Sequence, residues 1–147
     1  MSKGAYIPYD LLKLMDSSNE MTIPSGYFNG NNAASFSISN NGDLKRIVIG
    51  DYCFRNVRVF ELDGLGELES VVIGQYSFRI HDGKQSDGSC QIVNCPKLKS
   101  IQIGDRSFMD YQSFELNNLP SLQSIDISYC FYYAPSFSLT GLIEELV

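Results

Sequence analysis

Apolar and polar residues alternate along this chain in a block that recurs four times. The block reads LKRIVIGDYCF at 44–54, LESVVIGQYSF at 68–78, LKSIQIGDRSF at 98–108 and LQSIDISYCF at 122–131. After its opening leucine, apolar residues at every second position predict a short strand with one buried face. A second alternating phrase follows, such as FELNNL at 114–119. It predicts another short strand on an opposite wall.

The blocks recur at a nearly constant interval. Their opening leucines are Leu44, Leu68, Leu98 and Leu122, which are 24, 30 and 24 residues apart. Self-similarity at this period is typical of a solenoid, in which each coil buries its apolar face by stacking on its neighbours. We therefore predict a β-rich solenoid over 22–147, with parallel strands on two walls. It has four to five coils of about 24 residues, with repeats starting near 22, 44, 68, 98 and 122.

Three further positions of the repeat indicate how the chain turns. Gly50, Gly74 and Gly104 follow the strand and predict a turn that a side chain would obstruct. A phenylalanine that would plug the core comes next, at Phe28, Phe54, Phe78, Phe108 and Phe131. A last position holds only Asn or Gly, at Asn40, Gly64, Asn94, Asn118 and Gly141. These two residues tolerate positive φ best, which predicts a left-handed turn; a column of mutually bonded asparagines is the alternative.

These residues carry a family resemblance. The spacing of Leu98, Ile101 and Ile103, with Leu119 and Leu122 leading into the next block, resembles the leucine-rich repeat. The IGxxSF phrase after the strand is similar to the bacterial-surface-type (BspA-like) subclass, which is also abundant in protists. The resemblance covers roughly residues 22–142 and implies a concave parallel ladder that binds proteins or other ligands. The usual asparagine of the family is absent; Tyr52, Tyr76 and Arg106 lie near its place.

Composition narrows the class of partner. The chain has 147 residues, is 44% apolar and 19% charged, and carries a net charge of −6, as expected for one folded domain. The Lys and Arg residues do not cluster, which argues against nucleic acid. No apolar run approaches the roughly 18 residues that a membrane span requires. We expect a protein partner, with neither nucleic acid nor a membrane span.

The cysteines Cys53, Cys90, Cys95 and Cys130 form no CxxC pair and have no companion histidine cluster. A zinc site is therefore not expected, and no cofactor is indicated. Cys90 stands where other repeats place phenylalanine and Cys95 where they place leucine, so both are predicted to be small core residues. A local Cys90–Cys95 disulfide is the alternative. Unpaired thiols favour a cytoplasmic location only weakly, and the compartment stays otherwise unassigned.

The two ends of the solenoid differ. Residues 1–21 are predicted to cap the first coil, with a short helix from Tyr9 to Met15 and Asp10 at its N-cap. The other end reads GLIEELV, and its apolar edge comprises Leu142, Ile143, Leu146 and Val147. Three explanations remain open for this edge: a longer solenoid of which the chain is a piece, a second copy docked on it, or a small cap folded from the last residues.

The second repeat contains an insertion at 79–90, RIHDGKQSDGSC, which predicts a protruding polar loop. A ligand or metal loop using His81, Asp82 and Asp87 is conceivable. The spacing lacks the alternate carboxylates of a calcium loop, however, and a solvated loop is the favoured interpretation.

Outward positions of the predicted first wall form three columns. Lys45, Glu69, Lys99 and Gln123 alternate in charge, which predicts lateral ion pairs. The second column is Arg46, Ser70, Ser100 and Ser124, and the third is Val48, Val72, Gln102 and Asp126. Val48 and Val72 beside Arg46 are typical of an interface core, with Tyr52 and Tyr76 at its rim. Alternatively, both valines are ordinary strand formers.

Catalytic motifs are not evident, because the sole histidine has no partner nucleophile and no phosphate-binding GxxxxGK[ST] occurs. We therefore expect a non-catalytic protein-recognition scaffold that binds through the concave sheet. The alternative is a structural module, or a fragment of a longer solenoid, that associates through its open C-terminal coil.

Overall fold

The protein winds as a β-solenoid with two parallel walls. The computed structural model describes residues 7–8, 10–30, 35–80, 87–127, 129–131 and 136–142, the last range for its backbone only. The described elements are a 3₁₀ helix (Leu11–Leu14) and the strands β1 (Glu20–Ile23), β2 (Ser35–Ser39), β3 (Arg46–Ile49), β4 (Val59–Asp63), β5 (Ser70–Ile73), β6 (Ser89–Val93), β7 (Ser100–Ile103), β8 (Ser113–Leu119), β9 (Ser124–Asp126) and β10 (Ser136–Leu142). They form two five-stranded sheets, ordered β1-β3-β5-β7-β9 and β10-β8-β6-β4-β2. The predicted β-rich solenoid with parallel strands on two walls is confirmed.

Equivalent residues of successive blocks lie side by side in the sheets. In the first sheet, one inward row is Met21, Ile47, Val71, Ile101 and Ile125. In the second sheet, the inward row is Phe36, Phe60, Cys90 and Phe114, and the backbone of Phe137 pairs beside Phe114. Buried residues alternate with more exposed ones in β1 to β5 and in β7, so the apolar set fills the space between the walls. We name each coil by its strand in the first sheet.

A column of phenylalanines runs through the core at the turn after the first sheet. Phe28, Phe54, Phe78, Phe108 and Phe131 are all buried, and neighbouring rings stack with centroids 4.7–5.4 Å apart. All five have positive φ, between 54° and 61°, which costs a non-glycine residue about 1–2 kcal/mol. Burial of the rings offsets this cost, as do backbone bonds such as Phe78 N–H to Cys53 O at 2.9 Å. The predicted core plug is confirmed.

The glycines before this turn are required by close approach between coils. A Cβ on Gly74 would lie 2.2 Å from Asp51 Oδ1 and 2.7 Å from the carbonyl carbon of Gly50. A Cβ on Gly104 would lie 2.6 Å from Gln75 N. The sequence-based prediction of an obstructed turn is therefore correct, and the obstacle is the backbone of the preceding coil.

The turn after the second sheet is left-handed, as predicted. Asn40, Gly64, Asn94 and Asn118 have φ of 52°, 72°, 56° and 56°. The alternative interpretation also holds in part, because Asn118 Nδ2 donates to Asn94 Oδ1 at 2.9 Å and Asn94 Nδ2 donates to Asp63 Oδ1 at 3.0 Å. The same asparagines thus serve both the turn and the contact between coils.

Serine and cysteine side chains connect the turns inside the core. Ser77 Oγ donates to Gly50 O at 2.9 Å and accepts the Cys53 N–H at 3.1 Å. Ser107 Oγ repeats this arrangement, donating to Gly74 O at 2.6 Å and accepting the Ser77 N–H at 2.9 Å. All four cysteines are free, and Cys90 and Cys95 are buried. The core prediction for both is confirmed, and the alternative disulfide between them is wrong.

The N-terminal coil is covered by the 3₁₀ helix. Asp10 is its N-cap, with Oδ1 accepting the Leu12 N–H at 3.1 Å, and Leu11 is buried. The element is thus a single 3₁₀ turn within the predicted 9–15 segment, and β1 begins at Glu20 inside the predicted cap. Within the described ranges, no helix has the length and apolar character needed to cross a membrane.

Candidate recognition surfaces

The first sheet brings all eight residues of the predicted binding face together. Strand pairing aligns Arg46, Ser70, Ser100 and Ser124 in one column and Val48, Val72, Gln102 and Asp126 in the next. The structure adds Glu20 and Thr22 of β1, which extend these two columns by one strand. The sequence missed both because the first repeat lacks the recurring block. We call these ten residues the first-sheet face; Val48 and Val72 are half-buried, and Arg46, Gln102 and Asp126 are exposed.

The predicted lateral ion pairs beside this face are wrong. Lys45, Glu69 and Lys99 are exposed, and no ion pair joins them in the part of the chain that the structure describes. The ion pair forms earlier in the repeat, where Lys97 Nζ donates to both carboxylate oxygens of Glu67 at 2.9 and 2.8 Å. That hydrogen bond lowers the pKa of Glu67 and raises the pKa of Lys97. The long side chains of the face extend into water, where pairing is worth little.

These unpaired charges line a shallow groove on the face. Its volume is about 320 Å³, and its lining comprises Glu20, Lys45, Arg46, Glu69, Ser70, Lys99 and Ser100. The groove crosses four adjacent strands, because its residues come from the β1, β3, β5 and β7 coils. A partner that lies across the strands would therefore contact both signs of charge.

The opposite wall carries a smaller and more polar set of side chains. Its outward column is Ser37, Glu61, Gln91 and Glu115, aligned by pairing of the second sheet, and the backbone of Ser138 pairs beside Glu115. Gln91 Nε2 donates to Glu115 Oε1, so these two side chains already have a hydrogen-bond partner within the protein. The first-sheet face, unlike this column, includes apolar and basic side chains as well as polar and acidic ones.

A third surface lies at the turn that follows the first sheet. The rings of Tyr52 and Tyr76 stack with centroids 5.0 Å apart and planes 2° from parallel. Arg106 Nη1 donates to Tyr76 Oη, and its Cζ lies 5.6 Å from the centre of that ring. Arg79 Cζ lies 5.7 Å from the same ring, within the range of cation–π attraction.

These rings border an open cleft of about 330 Å³, which we call the turn-edge cleft. Its lining comprises Asn29, Tyr52, Arg55, Tyr76 and Arg79. Asn29 Nδ2 donates to Tyr52 O at 2.8 Å, and its Oδ1 accepts the Arg55 N–H at 2.9 Å. The sequence pointed to both tyrosines but missed the other three residues. The available signal was their shared place in the repeat, since each directly follows the core phenylalanine.

Two predicted sites lie largely outside the described residues. His81 and Asp82 fall there, while Asp87 is exposed and its Oδ1 accepts a hydrogen bond from Arg58 Nη1 at 2.7 Å. This bond lowers the pKa of Asp87. The described ranges contain no group of three or more His, Cys, Asp or Glu side chains that could hold a metal ion.

Most of the predicted assembly edge also lies outside the described residues, namely Ile143, Leu146 and Val147. The backbone of Leu142 pairs with that of Leu119 at the end of β10. Nearby, Ile125 and Ile127 of the β9 coil are only half-buried, although their equivalents in the other coils are fully buried. The core is thus less covered at this end than at the end under the 3₁₀ helix.

Burial raises the pKa values of the cysteine thiols. It raises the pKa of Cys53, Cys90 and Cys95, and raises the pKa of Cys130 to about 12. Burial likewise raises the pKa of Tyr111 well above its usual value, while its hydroxyl donates to Val57 O. A protonated thiol is a weak nucleophile, so the cysteines have the character of packing residues.

By its fold the protein is a β-solenoid repeat protein, whose exposed residues form strips along the stack of coils. Such proteins present extended surfaces built from one set of positions per repeat. Comparisons with known proteins found no matching family model, no similar curated protein and no similar solved structure.

Proposed function

We propose that this protein is a non-catalytic recognition scaffold that binds another protein through the first-sheet face. The observation that carries the proposal is the register of that face, which sets equivalent side chains of five strands in straight columns. Val48 and Val72 form a half-buried apolar centre, with Arg46 on one side and Gln102 on the other. An apolar centre with a polar rim is the usual anatomy of a protein interface.

The charge along the face supports the proposal. The face carries both signs of charge, with Glu20 beside Arg46 near one end of the columns and Asp126 near the other, so a partner with a complementary pattern of charge would be oriented on it. The resemblance of the repeat to leucine-rich repeats of the BspA-like kind points in the same direction. In that family the parallel ladder is the binding wall, which corresponds to the first sheet of this protein.

The test is a selection of binding peptides followed by surface mutagenesis. A displayed random-peptide library is selected on the immobilised chain, and each clone is then measured against the Val48→Glu/Val72→Glu variant. We expect most clones to lose binding, because two carboxylates would replace the apolar centre of the face. Circular dichroism and thermal unfolding establish that the variant remains folded.

The matched control is Val59→Glu, a half-buried valine of β4 on the opposite wall. Clones that bind the control variant normally, but not the double variant, support the first-sheet face. If the clones bind both variants as tightly as the original chain, or lose both equally, the proposal is wrong.

The second candidate function is assembly through the C-terminal coil. The observation that favours it is the partial exposure of Ile125 and Ile127, which are apolar residues packed against the hydrophobic core. Within the described residues, β9 and β10 are also the outermost strands of the two sheets. Unpaired backbone groups on an edge strand favour association with another chain. Leu142, Ile143, Leu146 and Val147 would contribute apolar area to such a contact.

A further inference from the structure

Two arginines face the turn-edge cleft from adjacent coils. Arg55 is exposed, and no described carboxylate pairs with it. Arg79 Nε lies 3.6 Å from Asp110 Oδ2, too far for a hydrogen bond. The Asn56 N–H donates to Arg79 O at 2.8 Å, which places the backbones of the two arginines in adjacent coils. Asp110 already offsets part of the charge of Arg79, whereas Arg55 has no such counterion among the described residues, and an anion in the cleft would supply one.

The cleft also contains an open aromatic surface. Tyr76 covers one face of the Tyr52 ring, and in the β1 coil the position equivalent to Tyr52 is Gly26, which has no side chain. The Gly26 N–H donates to Asp51 O at 2.8 Å, which confirms that the two turns are adjacent. Tyr52 is accordingly 54% exposed. A planar or aliphatic group could therefore pack on this ring, as happens at many interface hot spots.

The side-chain amide of Asn29 is already satisfied within the protein. Asn29 donates to Gly26 O at 3.2 Å and to Tyr52 O at 2.8 Å, and its Oδ1 accepts from the Arg55 backbone. The donors still available are the two guanidinium groups, which have no acceptor atoms, and the hydroxyls of Tyr52 and Tyr76. These groups favour a ligand that accepts hydrogen bonds, and an anion matches the positive charge of the guanidinium groups as well. The lining includes no carboxylate, even though the chain has a net charge of −6.

We propose that the turn-edge cleft binds an anionic side chain of an acidic peptide segment, next to an aromatic residue that stacks on Tyr52. Guanidinium groups bind carboxylate and phosphate through the same paired hydrogen bonds, so an acidic residue and a phosphorylated tyrosine share this chemistry. A polyanion such as nucleic acid fits less well, because a long contact would meet the net charge of −6 that the chain carries. The inference rests on the proposed function as a protein-recognition scaffold and adds a second contact region, separate from the first-sheet face.

The test uses three synthetic peptides with identical glycine-serine flanks. Their centres are Glu-Tyr-Glu, Gln-Tyr-Gln and Gln-phosphotyrosine-Gln. Each is titrated into the ¹⁵N-labelled chain while backbone amide shifts are followed. We expect saturable shifts of Tyr52, Arg55, Tyr76 and Arg79 with an anionic peptide, and binding roughly tenfold weaker with the neutral one, as one charge-assisted contact implies. Whichever anionic peptide binds more tightly identifies carboxylate or phosphate as the source.

The variant that tests the site is Arg55→Gln. It removes the exposed guanidinium but keeps the backbone N–H that bonds Asn29, so the fold should be unaffected. We expect anionic peptides to bind it roughly tenfold more weakly. Lys13→Gln is the control, since it removes an exposed cation of the 3₁₀ helix, outside both proposed surfaces, and should leave the affinity unchanged. Arg79 is unsuitable, because its loss would leave the buried Asp110 Oδ2 without its cation.

Three outcomes would overturn the inference. They are equal binding of the neutral and anionic peptides, no loss of affinity in Arg55→Gln, and shifts confined to Val48, Val72 and their neighbours. None of these would remove the proposed function, which depends on clones that bind the first-sheet face. Conversely, binding of the anionic peptides to the Val48→Glu/Val72→Glu variant would establish the cleft as an independent site even if the first-sheet proposal fails.

Discussion

At the scale of single residues, one core position combines packing with a hydrogen bond between coils. It holds Cys53, Ser77, Ser107 and Cys130 in successive coils. Each side chain donates to the carbonyl of a residue in the preceding coil, for example Ser107 to Gly74 O at 2.6 Å and Cys130 Sγ to Gly104 O at 3.1 Å. Serine and cysteine are interchangeable here because both are small donors, although only the thiol titrates in the alkaline range.

This difference predicts how stability depends on pH. In the unfolded chain a thiol titrates near 9.0, whereas burial raises the pKa of Cys130 to about 12 in the folded protein. Below pH 9 both states keep the proton and stability is unaffected. Above pH 9 the unfolded state releases a proton that the folded state retains, so stability falls as the pH rises until it approaches the folded value, by an amount that the partial exposure of Cys130 reduces.

The variant Cys130→Ser tests this interpretation, because serine already occupies the equivalent position in two coils. We expect its free energy of unfolding to match that of the original chain near pH 7, within about 1 kcal/mol. Between pH 9 and 12 it should decline less steeply. Urea unfolding at a series of pH values measures both. If the free energies of unfolding of the variant and the original chain change in parallel up to pH 11, folding does not raise the pKa of Cys130.

At the scale of elements, the turn after the first sheet determines how closely coils can stack. Gly74 sits against the backbone of the β3 coil, so that even a methyl group at this position would overlap Asp51 and Gly50. By contrast, Gly66 lies in the turn after the second sheet, and a Cβ there would meet nothing within 4 Å. The two turns therefore tolerate side chains very differently, although both contain glycine.

A pair of substitutions tests this contrast. Gly74→Ala is expected to lower the free energy of unfolding by about 2 kcal/mol, since the added methyl group forces neighbouring backbone apart. Gly66→Ala is expected to leave stability unchanged or raise it by about 0.5 kcal/mol, because alanine restricts the unfolded chain. Guanidinium denaturation of both variants gives the comparison. Equal stabilities would mean that the coils can separate without cost at Gly74.

At the scale of the whole molecule, the two ends of the stack are covered unequally. Met21 and Ile23 of the first strand are fully buried, with the 3₁₀ helix packed over this end. Ile125 and Ile127 in the β9 coil remain half-buried. Each coil of a solenoid is stabilised by the coils on both sides of it. Binding of another chain would therefore bury more apolar surface at the less covered end than at the other.

The second candidate function predicts that the mass in solution rises with protein concentration. Deleting residues 142–147 should keep the chain monomeric while clones of the first-sheet face still bind it. The control is Thr22→Lys, which adds a charge to the exposed side of β1 and should leave assembly unchanged. Sedimentation equilibrium over a concentration series measures the masses. A full-length chain that stays monomeric at every concentration would rule out assembly through this end.

The sequence alone determined the strands of the four recurring blocks, their inward and outward positions, and the columns of the first-sheet face apart from Glu20 and Thr22. It could do so because every block has the same phase, so residues that align in sequence become neighbours in a parallel stack, as Val48 and Val72 do. The positive φ of Asn94 and Asn118 was predictable for the same reason, since only Asn and Gly fill that position.

Only the tertiary structure decided the features that join different columns of the repeat. Arg55 and Tyr52 meet in one cleft because the intervening turn reverses direction around the buried Phe54, and the periodicity contains no information on that geometry. Likewise, Lys97 pairs with Glu67 while Lys99 extends into water. The direction in which each lysine side chain leaves the backbone determines which of them forms the ion pair. The repeat therefore determines contacts along a column, and contacts between columns depend on the folded turns.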